Sequence, residues 1–103
     1  MIVYVCSPYA GDVKGNTRRA VRFCRYAMSK GHTPVAPHLL YPQMLNDDVP
    51  AERERALAMG VQLLDRCDEL WVYGKVISHG MAKEIMHAVN TGITVRLIRE
   101  AVA

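Results

Sequence analysis

The sequence predicts a small α/β fold: a doubly wound parallel sheet of the Rossmann or flavodoxin type, with about four strands. Two observations predict it. Short runs rich in β-branched and aromatic residues alternate with longer segments whose apolar residues recur at three- and four-residue steps. Glycine, proline and small polar residues punctuate the junctions between them. Strands that alternate with helices demand a parallel sheet with helices on both faces.

Ile2-Val3-Tyr4-Val5-Cys6 reads as the first strand, and it runs into the turn-rich segment Ser7-Pro8-Tyr9-Ala10-Gly11-Asp12. A helix follows. Asn16 suits its N-cap, and Ala20, Val21, Cys24, Ala27 and Met28 form its inner stripe. Gly31 suits the position just past its end. Residues 33–36 read as the second strand, entering Pro37-His38-Leu39-Leu40-Tyr41-Pro42. Residues 43–49 are polar and carry the acidic pair Asp47-Asp48.

Pro50 suits the first turn of a second helix, with Ala56, Met59, Gly60, Leu63 and Leu64 inward and Glu52-Arg53-Glu54-Arg55 solvated. Glu69-Leu70-Trp71-Val72-Tyr73 reads as a buried third strand, with Trp71 in the core. Asp68, just before it, is expected to bond to backbone. A third helix is expected from His79 to Thr91, with Met81, Ile85, Ala88 and Val89 inward and Gly92 as its stop. Residues 93–98 alternate and read as the last strand. In such sheets ligands bind beyond the carboxyl ends of the strands. That places the expected site among residues 7–12, 37–49 and 74–80.

At 103 residues the chain predicts one domain, 1–103. A net charge of +3 admits an anionic small ligand but lacks the dense basic stripe of a nucleic-acid binder. Arg18, Arg19, Arg22 and Arg25 read as a solvated helix face or as a phosphate-facing patch. The three cysteines, Cys6, Cys24 and Cys67, match no zinc spacing and read as small core residues in a reducing, cytoplasmic setting. No stretch approaches the length of a membrane span. The ends of a four-stranded sheet need cover, which predicts a homodimer or a larger homo-oligomer.

The run Ser78-His79-Gly80-Met81-Ala82-Lys83-Glu84 carries the chemistry. Ser78 can cap the helix and still donate to a phosphate or sugar oxygen, beside free N–H groups and the positive end of the helix dipole. Gly80 permits close backbone approach. Glu84 lies about one turn further in. Helical side chains lean toward the N-terminus, so its carboxylate is expected to look into the crevice. The dipole favours its ionised form and partial burial opposes it. Two readings stand on spacing alone: a nucleophilic carboxylate, and a plain capped helix with an acid on its shoulder. His38 reads as a ligand-facing or a backbone-bonded histidine, and Tyr9 as a stacking or a solvent-exposed tyrosine. His79, Lys83 and His87 share a helix face, but lysine at the centre does not make a metal site.

Four features together resemble the nucleoside 2-deoxyribosyltransferase-like superfamily, and specifically a small branch found in phages and bacteria. They are Ile2-Val3-Tyr4-Val5-Cys6-Ser7-Pro8-Tyr9-Ala10-Gly11, Cys67-Asp68-Glu69-Leu70, Ser78-x-Gly80-x-x-x-Glu84, and the Ala88/Gly92 helix end. The superfamily includes deoxyribosyltransferases and nucleoside 5′-monophosphate N-glycosidases. The resemblance implies that Glu84 forms a covalent sugar intermediate and that Tyr4 bonds and steers it. It implies substrate contacts from the loop holding Ser7, Pro8, Tyr9 and Gly11, a phosphate-binding role for Ser78, and a small-molecule nucleotide as partner. It implies no cofactor or metal. Relatives carry an acid on the helix before the third strand; an ungapped match puts Gly60 there. Asp65 is the nearest acid on that helix, and Asp47 or Asp48 are the loop substitutes. With Gly60 in that place, the alternative to an enzyme is a module that keeps the pocket and senses a nucleotide.

Overall fold

Strands β1 (Ile2–Cys6), β2 (Thr33–Val35), β3 (Glu69–Tyr73) and β4 (Thr94–Ile98) form one parallel sheet in the order β2-β1-β3-β4. The computed structural model describes residues 1–99; positions 100–103 of the expected domain lie outside the described residues. Helices α1 (Val13–Ser29), α2 (Pro50–Leu64) and α3 (His79–Thr91) make the connections, as the alternating pattern predicts. The order reverses between β1 and β3, so the loops leaving those two strands diverge and open a crevice at their carboxyl ends.

Strand periodicity sorts the core into two layers. Val3, Val5, Trp71 and Tyr73 point to one face, where Cys24 and Ala27 of α1 meet them. Phe23 stacks on Tyr73 with ring centres 4.4 Å apart. Tyr4, Cys6, Leu70 and Val72 point to the other face, against Leu64 of α2 and Met81 and Ala88 of α3. β1 and β3 are the central pair, covered on both sides, which is why they are apolar almost throughout. β2 is a three-residue edge and takes Pro34, whose missing N–H an edge tolerates.

Asp68 accepts a 2.7 Å hydrogen bond from the Ile2 N–H, tying the starts of β1 and β3. Trp71 is 5% exposed, a core residue as expected. The solvated α2 face is confirmed at Arg53, Glu54 and Arg55, while Glu52 turns back to accept from the Asn46 N–H.

The structure corrects the helix details. α1 starts earlier than Asn16: Asp12 is the N-cap and accepts from the Gly15 N–H. Asn16 is instead buried in the first turn and donates to the carbonyls of Tyr9 and Ala10. Val21 and Met28, expected inward, are 45% and 58% exposed. The buried arc of α1 instead runs through Gly15, Asn16, Ala20, Cys24 and Ala27. Val89 on α3 is also exposed, while Met81 and Ala88 hold the core. In each case helical spacing allowed two neighbouring arcs, and the sheet contacts only one. Gly31 (φ +84°) and Gly92 (φ +79°) end α1 and α3 in the left-handed region as predicted.

Candidate active site

β1, the segments that follow β1 and β2, and the first turns of α3 supply the candidate residues. Tyr4, 2% exposed, points from β1 toward α3, and its hydroxyl donates a hydrogen bond to Glu84 Oε2. Glu84 is partly buried, and its carboxylate turns inward onto β1 rather than out to solvent. The Cys6 thiol, 3.6 Å from Glu84 Oε1, is a second donor to the same carboxylate. Ser78 caps α3, its hydroxyl accepting from the Met81 N–H at 3.3 Å. Gly80 is exposed in the first turn of α3 with open space where a side chain would stand.

Burial and hydrogen bonding compete at Glu84, and burial prevails. It raises the Glu84 pKa above the ordinary carboxylate value, although the bonds from Tyr4 and Cys6 work to lower it. Burial and the adjacent Glu84 charge raise both the Tyr4 phenol and the Cys6 thiol. Both groups therefore keep their protons and remain donors.

Ser7 is buried and shares a 2.9 Å hydrogen bond with His38 Nε2, joining the end of β1 to the 3-10 turn Pro37–Leu39. Burial pushes the His38 pKa down to about 4, so the ring is neutral at pH 7. His38 is thus bonded to a side chain, not to backbone. The sign of its effect on stability follows. An unfolded His38 gains a proton below about 6.5 while the folded one resists until about 4, so stability falls as pH drops through that window. We expect wild type to lose on the order of 2 kcal/mol between pH 7 and pH 4 from this group, allowing for partial solvent access. Denaturant titrations of wild type and His38→Gln at both pH values check this: the variant lacks that part of the loss.

An open cleft of about 640 Å³ lies between the β1–α1 loop and residues 42–48. Tyr9 and Gly11 line it from the loop, and Gln43, Asn46, Asp47 and Asp48 from the other segment. Pro8 links this wall to Ser7 and is partly buried. Neither Tyr4 nor Glu84 lines the cleft, so the expected site residues fall into two groups. Tyr4 and Glu84 form one, Tyr9, Gly11 and Asp47 the other, and the bonded pair Ser7–His38 lines the cleft no more than the first group does. Asn16 anchors the cleft wall through Tyr9 and Ala10. A Cβ at Gly15 would collide with the Asp12 side chain, so a larger residue there would have to displace that cap.

Sequence reasoning missed Cys6, and one signal was available. Cys6 lies two residues after Tyr4 on a strand, hence on the same face. Asp65 does not substitute for an acid in this site: it caps α2 and pairs with His87 at 2.6 Å. Position 60 does face the site, since a Cβ on Gly60 would stand 3.5 Å from the Tyr4 hydroxyl. Among the described residues no three His, Cys, Asp or Glu side chains gather as metal ligands. No helix among them is long and apolar enough to cross a membrane.

A family model matches residues 1–98, nearly the whole chain. The chain belongs to the DUF7768 family, Domain of unknown function. No curated protein matches this DUF7768 chain. Among solved structures, it is similar to the 2-deoxyribosyltransferase from the psychrotolerant bacterium Bacillus psychrosaccharolyticus. The superposition has a TM-score of 0.78 at 15% identity and covers 100% of this chain and 77% of the other. The DUF7768 chain thus has a 2-deoxyribosyltransferase-like α/β fold.

Proposed function

We propose that this protein cleaves or transfers the N-glycosidic bond of a nucleotide, with Glu84 as nucleophile. The observation that carries the reading is the hydrogen bond from Tyr4 to Glu84, made across β1 and α3 at the switch point of the sheet. An acid that merely decorated a helix shoulder would face water. This one is partly buried against two donors.

The chemistry follows in two displacements. A Glu84 oxygen forms a bond to the anomeric carbon while the carbon–nitrogen bond breaks. The leaving base takes that electron pair and a proton from solvent. Water, or a second base, then attacks the same carbon, and Glu84 leaves as a carboxylate. Tyr4 steers the carboxylate throughout. Ser78 accepts from Met81 N–H and retains its own O–H, free to donate to a 5′-phosphate beside the exposed start of α3. The cleft beside Tyr9 has room for a base. The protein acts as a homo-oligomer, which sedimentation would test.

A panel of ribo- and deoxynucleoside monophosphates, assayed by chromatography for free base, tests the reading. Base release that disappears with Glu84→Ala supports it; release that survives the substitution overturns it. Tyr4→Phe is expected to lower base release by roughly 10- to 100-fold, the effect of losing one hydrogen bond to a charged group. It also raises the acid limb of the pH profile, because a donor that favours ionised Glu84 is gone.

Gly60 favours a second reading. It faces the Tyr4 hydroxyl without supplying a carboxylate, as a nucleotide-sensing module would tolerate. Calorimetric binding of a nucleotide with no base release would select it.

A further inference from the structure

The carboxylate of Glu84 is held at both oxygens. Tyr4 bonds Oε2, and the Cys6 sulfur lies 3.6 Å from Oε1. Cys6 is 0% exposed, and its sulfur also lies 3.9 Å from the Met81 carbonyl, one turn before Glu84 on α3. The thiol therefore sits where the backbone of α3 and its acidic side chain converge. It shares one proton between two acceptors. Both Tyr4 and Cys6 leave the same face of β1, so a single strand supplies both donors.

We infer that Cys6 is a positioning residue for Glu84, fixing the plane of the carboxylate by holding Oε1 while Tyr4 anchors Oε2. This rests on the reading of Glu84 as the reacting carboxylate. A thiol is a weaker donor than a phenol, and its proton is already divided. Oε1 is therefore the oxygen that is released to bond the anomeric carbon, and Oε2 stays anchored. The thiol keeps its proton throughout; burial and the Glu84 charge hold it there. Cys24 and Cys67 make no such contact. Cys24 packs on the opposite face of the sheet, and Cys67 donates to the Leu63 carbonyl.

The experiment reads the Glu84 titration directly. Carbon-13 NMR of the labelled carboxyl, assigned with Glu84→Gln, gives its midpoint in wild type, Cys6→Ala, Cys6→Ser and Cys24→Ala. Removing the donor should raise the midpoint by about half a pH unit or more. Serine, a stronger donor, should return it to the wild-type value or below. Cys24→Ala should leave it unchanged. The acid limb of kcat/KM for base release should move with the midpoint. Unchanged midpoints in both Cys6 variants, or equal shifts in both, overturn the inference, since volume alone then explains the residue. In wild type, the infrared S–H band assigned by Cys6→Ser should shift as Glu84 titrates. A band that stays constant also overturns the inference, and this measurement holds even where Cys6→Ala fails to fold. Base release that persists in Glu84→Gln would instead sink the nucleophile reading, with the midpoint shifts still standing.

Discussion

Glu84→Gln should reduce base release by at least about 10³-fold, the scale seen when a covalent nucleophile is removed. The amide has nearly the shape of the acid and can still accept from the Tyr4 hydroxyl, so nucleotide binding should change little. A loss in kcat with KM preserved is the pattern expected of a group needed only for the chemical step. Stability should move the other way. Burial raises the Glu84 pKa above 4.5, so the folded chain holds that proton more tightly than the unfolded chain. The stability it confers is present at low pH and is lost as pH rises from 4.5 through the folded midpoint. Glutamine cannot ionise and escapes that loss. The variant should melt above wild type at pH 7, with the gap closing below pH 4.5. Thermal melts at both pH values, beside the activity assay, check the pair of effects. A variant that is inactive and also less stable at pH 7 would point to simple misfolding.

Leu70→Ala should be the most damaging of the core truncations near the site. Leu70 is 0% exposed on β3, opposite Tyr4 in register, and packs in the layer that holds Cys6, Leu64 and Met81. Removing its side chain opens a cavity between two helices and a central strand, which cannot readily collapse. The cost should be about 3 kcal/mol. In a domain of this size that corresponds to a melting temperature lower by about 12–20 °C. Native stabilities are only about 5–15 kcal/mol, so this is a large share. The cavity lies beside Tyr4, so base release should fall even below the melting range. Calorimetry and the release assay at 15 °C would separate the two losses.

The legibility of the fold and of the site differed for a physical reason. The first and third strands were plain in sequence because both faces of each are covered, which leaves little choice of residue. The third helix was legible at both ends: Ser78 caps it and Gly92 takes the left-handed turn. The start of α1 was not. Asp12 and Asn16 are both good caps, and only the fold shows that Asn16 is needed to hold the Tyr9 and Ala10 carbonyls. The exposed Val21, Met28 and Val89 were misplaced because helical spacing gives the width of an apolar arc but not the direction of its partner.

The sequence alone determined the α/β alternation, the parallel sheet, the three loops that gather at its carboxyl edge, and Glu84 as the acid nearest the buried stripe. These follow from periodicity and turn chemistry, which are local properties of the chain. The Tyr4–Glu84 bond was expected only through the family resemblance, and the structure shows it; the tertiary structure alone decided that Cys6 also meets Glu84, that Ser7 pairs with His38, and that Gly60 faces the Tyr4 hydroxyl. Those pairs are separated by 80, 78 and 31 residues for the three hydrogen bonds. Contacts at such range are set by strand register and helix docking, which no short window of sequence contains.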